Sequence, residues 1–232
     1  MKYMGSKSKL SKYIIPIILK NRQLNQFYVD PFCGGCNSLD KVSNPRIGND
    51  SNKYLISFLK YLQLNIPFNP PPISEELYKQ IQYNKQNYPD YLVGYVGFNL
   101  SFAAKFFAGY RRDKYHIRDY QKEAIKNIQK QQKSLINIDF YNLDYKSLHI
   151  PSNSIIYCDP PYNNSTKYKD PFNHMEFYDW CRQKYKQNHQ IFISEYSMPS
   201  DFVCIFQKEQ SSNLDVSKKG RRKIEKLFTL NT

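Results

Sequence analysis

Phe27-Tyr28-Val29-Asp30-Pro31-Phe32-Cys33-Gly34-Gly35 is a short apolar run that ends in an acid, a proline and a glycine pair. A run of that length closed by breakers predicts a buried strand, and the glycines stand where such a strand hands the chain to a helix. With no side chain there, a ligand can approach the backbone. The chain has only eight glycines in 232 residues, about half the usual ~7 %, so an adjacent pair at this place is informative. Alone it is also an ordinary turn.

Upstream, residues 9–20 carry Leu10, Ile14, Ile17 and Ile18 at helical spacing, with Pro16 disturbing the middle. Downstream, a second strand is expected at 46–48, followed by Asn49-Asp50 and by a helix over 52–64 with Leu55, Phe58, Leu59 and Leu62 on one face. Asp50 at the end of that strand suits a carboxylate accepting hydrogen bonds from both hydroxyls of a ribose. It also suits a helix cap, a job open to Ser51 or Asn52 as well. Pro67-Phe68-Asn69-Pro70-Pro71-Pro72 breaks the helix. Residues 67–133 then read as a small, mainly helical insert, clearest at 117–132, where Tyr120, Ala124, Ile125 and Ile128 form a stripe. Strands return at 138–141, 154–158, 190–193, 202–206 and 224–230, with a helix at 175–186. Interleaved strands and helices predict an α/β fold, a largely parallel sheet covered on both faces, with the last two strands as an antiparallel hairpin. The main domain is expected over 1–66 and 134–232.

Lys and Arg number 34 against 20 Asp and Glu, a formal net charge of +14, which points to a polyanionic partner, nucleic acid first. Codon bias in an A/T-rich genome would inflate Lys, but does not easily explain the shortage of acids. Cys33, Cys36, Cys158, Cys181 and Cys204 are an odd set with no signal peptide after Met1, so a reduced, cytoplasmic setting without disulfides is expected, in a bacterial or virus-infected cell. Cys33-x-x-Cys36 looks like half a zinc site, but no second pair stands at matching spacing, and no metal is expected. No apolar run reaches the ~18–20 residues that span a bilayer. A monomer without membrane contact is the expectation.

The most specific stretch is Ile155-Ile156-Tyr157-Cys158-Asp159-Pro160-Pro161-Tyr162, an apolar strand ending in an acid, two prolines and an aromatic. The prolines fix φ and donate nothing, so nearby carbonyls are rigid and free to accept. A planar amino group is a poor nucleophile because its lone pair is delocalised into the ring. Asp159 and the Pro160 carbonyl, each accepting one amino hydrogen, would return density to the nitrogen. Tyr162 offers a face on which an extruded base can stack.

Taken together, Tyr3-Met4-Gly5-Ser6-Lys7, Asp30-Pro31-Phe32-Cys33-Gly34-Gly35, Asn49-Asp50, Asp159-Pro160-Pro161-Tyr162, Phe192-Ile193-Ser194-Glu195-Tyr196 and Glu225-Lys226-Leu227-Phe228 resemble, in order, the Dam-type DNA adenine-N6 methyltransferases. The central segment matches least. The resemblance implies a Rossmann-like methyltransferase sheet, S-adenosylmethionine as cofactor and double-stranded DNA as substrate, with base flipping and direct transfer to adenine N6. It implies that Tyr3, Lys7, Phe32, Asp50 and Asp159 contact the cofactor, with Lys7 near its methionine end and Asp50 on its ribose. Asp30, Gly34 and Gly35 shape that site. Asp144-Tyr145 is the nearest equivalent of the family's acid–aromatic pair beside the cofactor's adenine, or else a plain surface turn.

For DNA, Lys105-Phe106-Phe107-Ala108-Gly109-Tyr110-Arg111-Arg112 interleaves cations with aromatics inside the insert, where the family places target recognition. Lys105, Tyr110, Arg111 and Arg112 are its candidates, whereas Phe106 and Phe107 suit core packing equally. Lys218, Lys219, Arg221 and Arg222 lie between the last two strands and suit a basic loop tracking the backbone or a solvated one. Residues 163–173, with Lys167 and Lys169, are expected to fold over the flipped base and to be mobile without DNA. The alternatives are methylation of cytosine N4 or of an RNA base, and, from another class, an inactive DNA-binding regulator on the same fold.

Overall fold

The computed structural model describes residues 1–113, 117–162, 172–211 and 222–230. Its helices are α1 (Ser8–Ile18), α2 (Lys53–Leu64), α3 (Glu75–Tyr83), α4 (Asp90–Gly94), which runs on into a π-helical turn at Tyr95–Asn99, α5 (Tyr120–Leu135) and α6 (His174–Lys186). Its strands are β1 (Tyr28–Asp30), β2 (Arg46–Asn49), β3 (Ile138–Tyr141), β4 (Ile155–Cys158), β5 (Gln190–Glu195), β6 (Phe202–Ser211) and β7 (Arg222–Leu230). They form one sheet in the order β3-β2-β1-β4-β5-β7-β6. Every pairing from β3 to β5 is parallel, and β7 joins β5 and β6 antiparallel.

Side chains alternate across this sheet because successive residues of a strand point to opposite faces. Tyr28, Ile155 and Tyr157 enter one core with α1, α2 and α5. Their neighbours Val29, Ile156 and Cys158 enter the other, under Phe177, Trp180 and Cys181 of α6. Strands buried on both faces are continuous apolar runs, which is why they were legible one by one. Helix starts follow from local capping: the side chains of Asn52, Ser74, Asp119 and Asn173 each accept a backbone N–H three residues on. α1 continues through Pro16, contrary to the disturbance expected there, with Ile14, Ile15 and Ile18 buried on both sides of it.

Within residues 67–133 the buried side chains do not gather into a core of their own. Phe68, Ile73, Tyr78, Ile81, Val93, Tyr95 and Val96 join the same cluster as Leu55, Phe58 and Leu59 of α2. α4 lies so close on α2 that a Cβ on Gly94 would sit 2.1 Å from the Tyr54 carbonyl oxygen. Phe106 and Phe107 pack inward: Phe106 lies 4.8 Å from Phe98 and 5.7 Å from Tyr54, and Phe107 lies 5.3 Å from Tyr78, centroid to centroid. No helix among the described residues is long and apolar enough to cross a membrane.

In the sheet order the chain steps outward from β1 to β2 and β3, then returns to lay β4 on the other side of β1. That reversal opens a crevice beyond the carboxyl ends of β1 and β4, the usual ligand site of an open α/β sheet. Asp30 ends β1, Asp50 follows β2, Asp144 follows β3 and Asp159 follows β4.

Candidate active site

Asp159 leaves β4 beside the one buried lysine of α1's entry. Lys7 Nζ lies 2.9 Å from Asp159 Oδ1, 3.7 Å from Glu225 Oε2 and 4.5 Å above the Tyr162 ring. The Tyr162 hydroxyl donates to the same Glu225 Oε2 at 3.0 Å, and the Tyr162 ring meets Tyr196 edge-on with centroids 4.7 Å apart. Glu195, enclosed at the end of β5, accepts the Tyr196 N–H at 2.7 Å. Burial raises Asp159 above the usual carboxylate range, and Lys7 pulls it back down. Burial likewise opposes the charge on Lys7, but Asp159, Glu225 and Glu195 outweigh it and hold the ammonium form.

Asp50 accepts the Gly34 N–H at 3.2 Å with one oxygen and the Asn52 N–H at 2.8 Å with the other. Asn52 caps α2, so Asp50 is not needed for that job. Burial pushes the Asp50 carboxyl up to about 6, and among the described residues no cation pairs with it. Each oxygen keeps a lone pair for one further donor. A pair of adjacent hydroxyls would supply those donors, so this carboxylate fits a ribose. Phe32 and Tyr145 stand 5.2 Å apart, joined by Phe172 and Phe177 in one aromatic group. Tyr145 is largely buried in it, and Asp144 accepts the Lys146 N–H to cap the short turn that carries it. Asn49 ties the loops after β1 and β3 together by donating to the carbonyls of Pro31 and Leu143 at 3.0 Å each.

Two of the sequence candidates have neighbours that the sequence did not announce. The Gly34-Gly35 turn is approached by Tyr3, because a Cβ on Gly34 would meet the Tyr3 ring at 2.6 Å and one on Gly35 the Tyr3 Cβ at 2.7 Å. The glycines therefore make room for a side chain of this chain, and Tyr3 supplies the wall. Asp30 is enclosed and braces the turn, accepting the Phe32 N–H at 3.1 Å and bonding the Ser38 hydroxyl at 3.3 Å. Burial, with Asp159 nearby, pushes its carboxyl up to about 8. The folded protein thus holds a proton that an unfolded Asp loses near pH ~4, and this group's stabilising contribution is lost as pH rises from about 4 to about 8. Asp30→Asn is expected to flatten that part of the curve by roughly 2–4 kcal/mol, read as urea unfolding at about pH 5 and about pH 8.5. An identical slope in both proteins would refute the assignment.

The DNA candidates are placed unevenly. Lys105 is exposed. The Tyr110 hydroxyl donates to the Ile73 carbonyl at 2.9 Å, Arg111 stacks 3.8 Å over Tyr120, and Arg112 is paired with Glu75. Lys218, Lys219 and Arg221 lie outside the described residues, as do Lys167, Lys169 and most of the segment expected to close over the base; Arg222 opens β7. Cys33 and Cys36 are both buried in the turn, and among the described residues no three metal-ligating side chains gather.

The sequence model described as D12 class N6 adenine-specific DNA methyltransferase matches residues 3–108 and 99–210. The chain belongs to that family. It is therefore a methyltransferase of the adenine-N6 class that draws on S-adenosylmethionine, with DNA as substrate. No curated protein matches it. Among solved structures, a putative methyltransferase, yhhF, from Escherichia coli aligns over 100 % of this chain and 90 % of its own at 8 % identity and a TM-score of 0.38. SMU.472, a putative methyltransferase complexed with SAH, aligns over 98 % of this chain and 53 % of its own at 11 % identity and a TM-score of 0.37. Neither likeness is close enough to carry an argument about the methyltransferase's site.

Sequence reasoning set Glu195 and Glu225 within motifs of the family resemblance but gave neither a role, and it did not single out Gln131. Gln131 of α5 donates to the Gly35 carbonyl at 3.0 Å and to Asp40 at 2.8 Å, holding the turn from beneath. One signal was available for Glu195: an acid that closes the apolar strand Phe192-Ile193-Ser194 needs a partner when buried.

Proposed function

We propose that the chain is a site-specific DNA methyltransferase that turns a target adenine out of the duplex and transfers the methyl group directly to N6. The observation that carries this reading is the cluster at the end of β4, where a half-buried carboxylate paired with Lys7, the Pro160-Pro161 turn and the Glu225-held ring of Tyr162 follow one another in the chain. Asp159 and the Pro160 carbonyl accept the two amino hydrogens, which raises the electron density on the nitrogen. Tyr162 stacks on the extruded base, its ring orientation fixed by Glu225 and Tyr196. Methyl transfer would break the carbon–sulfur bond of the donor, leaving a neutral thioether, and would make an amino proton acidic, which Asp159 is placed to accept.

S-adenosylmethionine, when bound, supplies a methyl carbon activated by its neighbouring sulfonium. Asp50 would hold its ribose, Tyr3 and Phe32 would wall the site, Tyr145 with Asp144 would border its adenine, and Lys7 would stand near its methionine end. Residues 67–133 would carry target recognition, with Lys105, Tyr110, Arg111 and Arg112 toward the duplex, aided by Lys218, Lys219, Arg221 and Arg222.

The test is to incubate the protein with S-adenosylmethionine and unmethylated genomic DNA and to map modified bases by sequencing. N6-methyladenine confined to one short sequence context is expected; unmodified DNA, or methylation without context, would count against the reading. A 2-aminopurine at the target position should brighten on binding, and constant fluorescence would argue against extrusion.

A further inference from the structure

Resting on that function, we propose that Glu225 is a positioning residue for the transfer. It holds the Tyr162 hydroxyl and offers Lys7 a second carboxylate, so that Lys7 can release Asp159 Oδ1 to the amino group of the incoming base. As the site stands, Lys7 donates to Asp159 at 2.9 Å and only faces Glu225 Oε2 at 3.7 Å. A carboxylate oxygen engaged by an ammonium is a weaker acceptor for anything else, because its lone-pair density is already drawn to a full positive charge. The base therefore arrives at an acceptor oxygen that Lys7 has weakened. Moving Lys7 off Asp159 into a space with no other anion would leave a nearly enclosed cation uncompensated, at the cost that burial imposes on such a charge. Glu225 removes that obstacle. Closing a gap of less than 1 Å turns the existing Lys7–Glu225 ion pair into a direct hydrogen bond like the one Lys7 makes to Asp159, and Glu195 adds further attraction for the ammonium.

Glu225 is suited to the task by where it stands. It is carried on β7, opposite Lys208 of β6 in the ladder, and β7 is held on its other edge by β5. Its side chain is 13 % exposed, and its Oε2 is the atom that both Tyr162 and Lys7 address. One oxygen thus links the ring that is to hold the base with the cation that is to yield to it. The link spans 63 positions between Tyr162 and Glu225, with Lys7 nearer the start of the chain than either.

The variants separate the two duties. Glu225→Gln keeps an oxygen for the Tyr162 hydroxyl and loses the charge that Lys7 needs. We expect its single-turnover methylation rate to fall about 10–100-fold, with DNA KM and cofactor Kd within about threefold of the native values. Glu225→Asp, which restores the charge, should recover most of the rate. In a Lys7→Met background, Glu225→Gln should add less than about a further twofold loss, because its effect passes through Lys7. As a readout that needs no cofactor, Glu225→Gln should preserve the 2-aminopurine signal of the DNA complex, whereas Glu225→Ala, which frees Tyr162, should change it. A Glu225→Gln protein at the native rate, or one equally impaired whether or not Lys7 is present, overturns the proposal. A native protein that leaves adenine unmethylated in the same assay overturns the functional reading beneath it.

Discussion

Asp159→Ala is expected to lower the rate of methyl transfer by roughly 10³-fold or more while leaving DNA affinity within a few-fold. The carboxylate is the charged acceptor at the end of β4, and the neighbouring Glu225 carboxylate is already engaged by the Tyr162 hydroxyl, so truncation at 159 removes the acceptor from that position. The fold should tolerate the change. Lys7 keeps Glu225 within reach at 3.7 Å, so removing Asp159 does not strand a buried cation. In the proposed function, affinity for the duplex would rest on cations that lie elsewhere in the sequence, which is why it should survive. Radiolabel transfer in single turnover, beside fluorescence anisotropy of the same duplex, separates the two quantities. Because burial raises Asp159, acidification should protonate it sooner than an ordinary Asp, and native activity should fall on the acid side for the same reason. Full activity in Asp159→Ala would remove the carboxylate from the mechanism.

What the sequence made legible was the part of the structure that is local. Ile155-Ile156-Tyr157-Cys158 is an apolar run that meets breakers within a few residues, and Ile138-Asp139-Phe140-Tyr141 alternates buried and exposed positions, so both fall in strands. The hairpin of β6 and β7 was legible for a similar reason, as no helix-length apolar segment separates them. Contacts that close over long separations were not. The glycine pair at Gly34 announced that something comes near, but Tyr3 being that visitor depends on how α1 is set against the sheet. Glu225 heads a stretch that carries the family resemblance, but its meeting with Tyr162 and Lys7 follows only from β7 slotting between β5 and β6. The interleaved basic segment shows the same limit: Arg112 meets Glu75, Arg111 covers Tyr120 and Tyr110 ties down Ile73, interactions that a count of charges cannot foresee.

The boundary at Pro67 marked the end of a helix, and whether it also marks a separable unit is decided at Gly94. A Cβ there would lie 2.1 Å from the Tyr54 carbonyl oxygen, 2.8 Å from the Tyr54 carbonyl carbon and 2.9 Å from the Phe58 Cβ. Backbone cannot swing aside as a flexible side chain does, so Gly94→Ala must push α4 off α2. Over-packing of this kind costs about 3 kcal/mol, which for a chain of this length lowers the melting temperature by roughly 6–12 °C. The whole molecule should feel it, because Val93, Tyr95 and Val96 beside this glycine share one core with Leu55, Phe58, Tyr28 and Ile155. A single, displaced transition by calorimetry and by tyrosine fluorescence is the expected result. If only part of the chain melts early while the rest keeps its native transition, residues 67–133 form an independent domain and the shared core does not bind them into one folding unit. The same displacement should reach the crevice. Phe98, four residues on, packs 5.4 Å from Tyr3, so α4 and the wall over Gly34-Gly35 are two ends of one packed path. Gly94→Ala is therefore expected to weaken cofactor binding as well as stability, and isothermal titration below the melting range would show native affinity if that path did not transmit the strain.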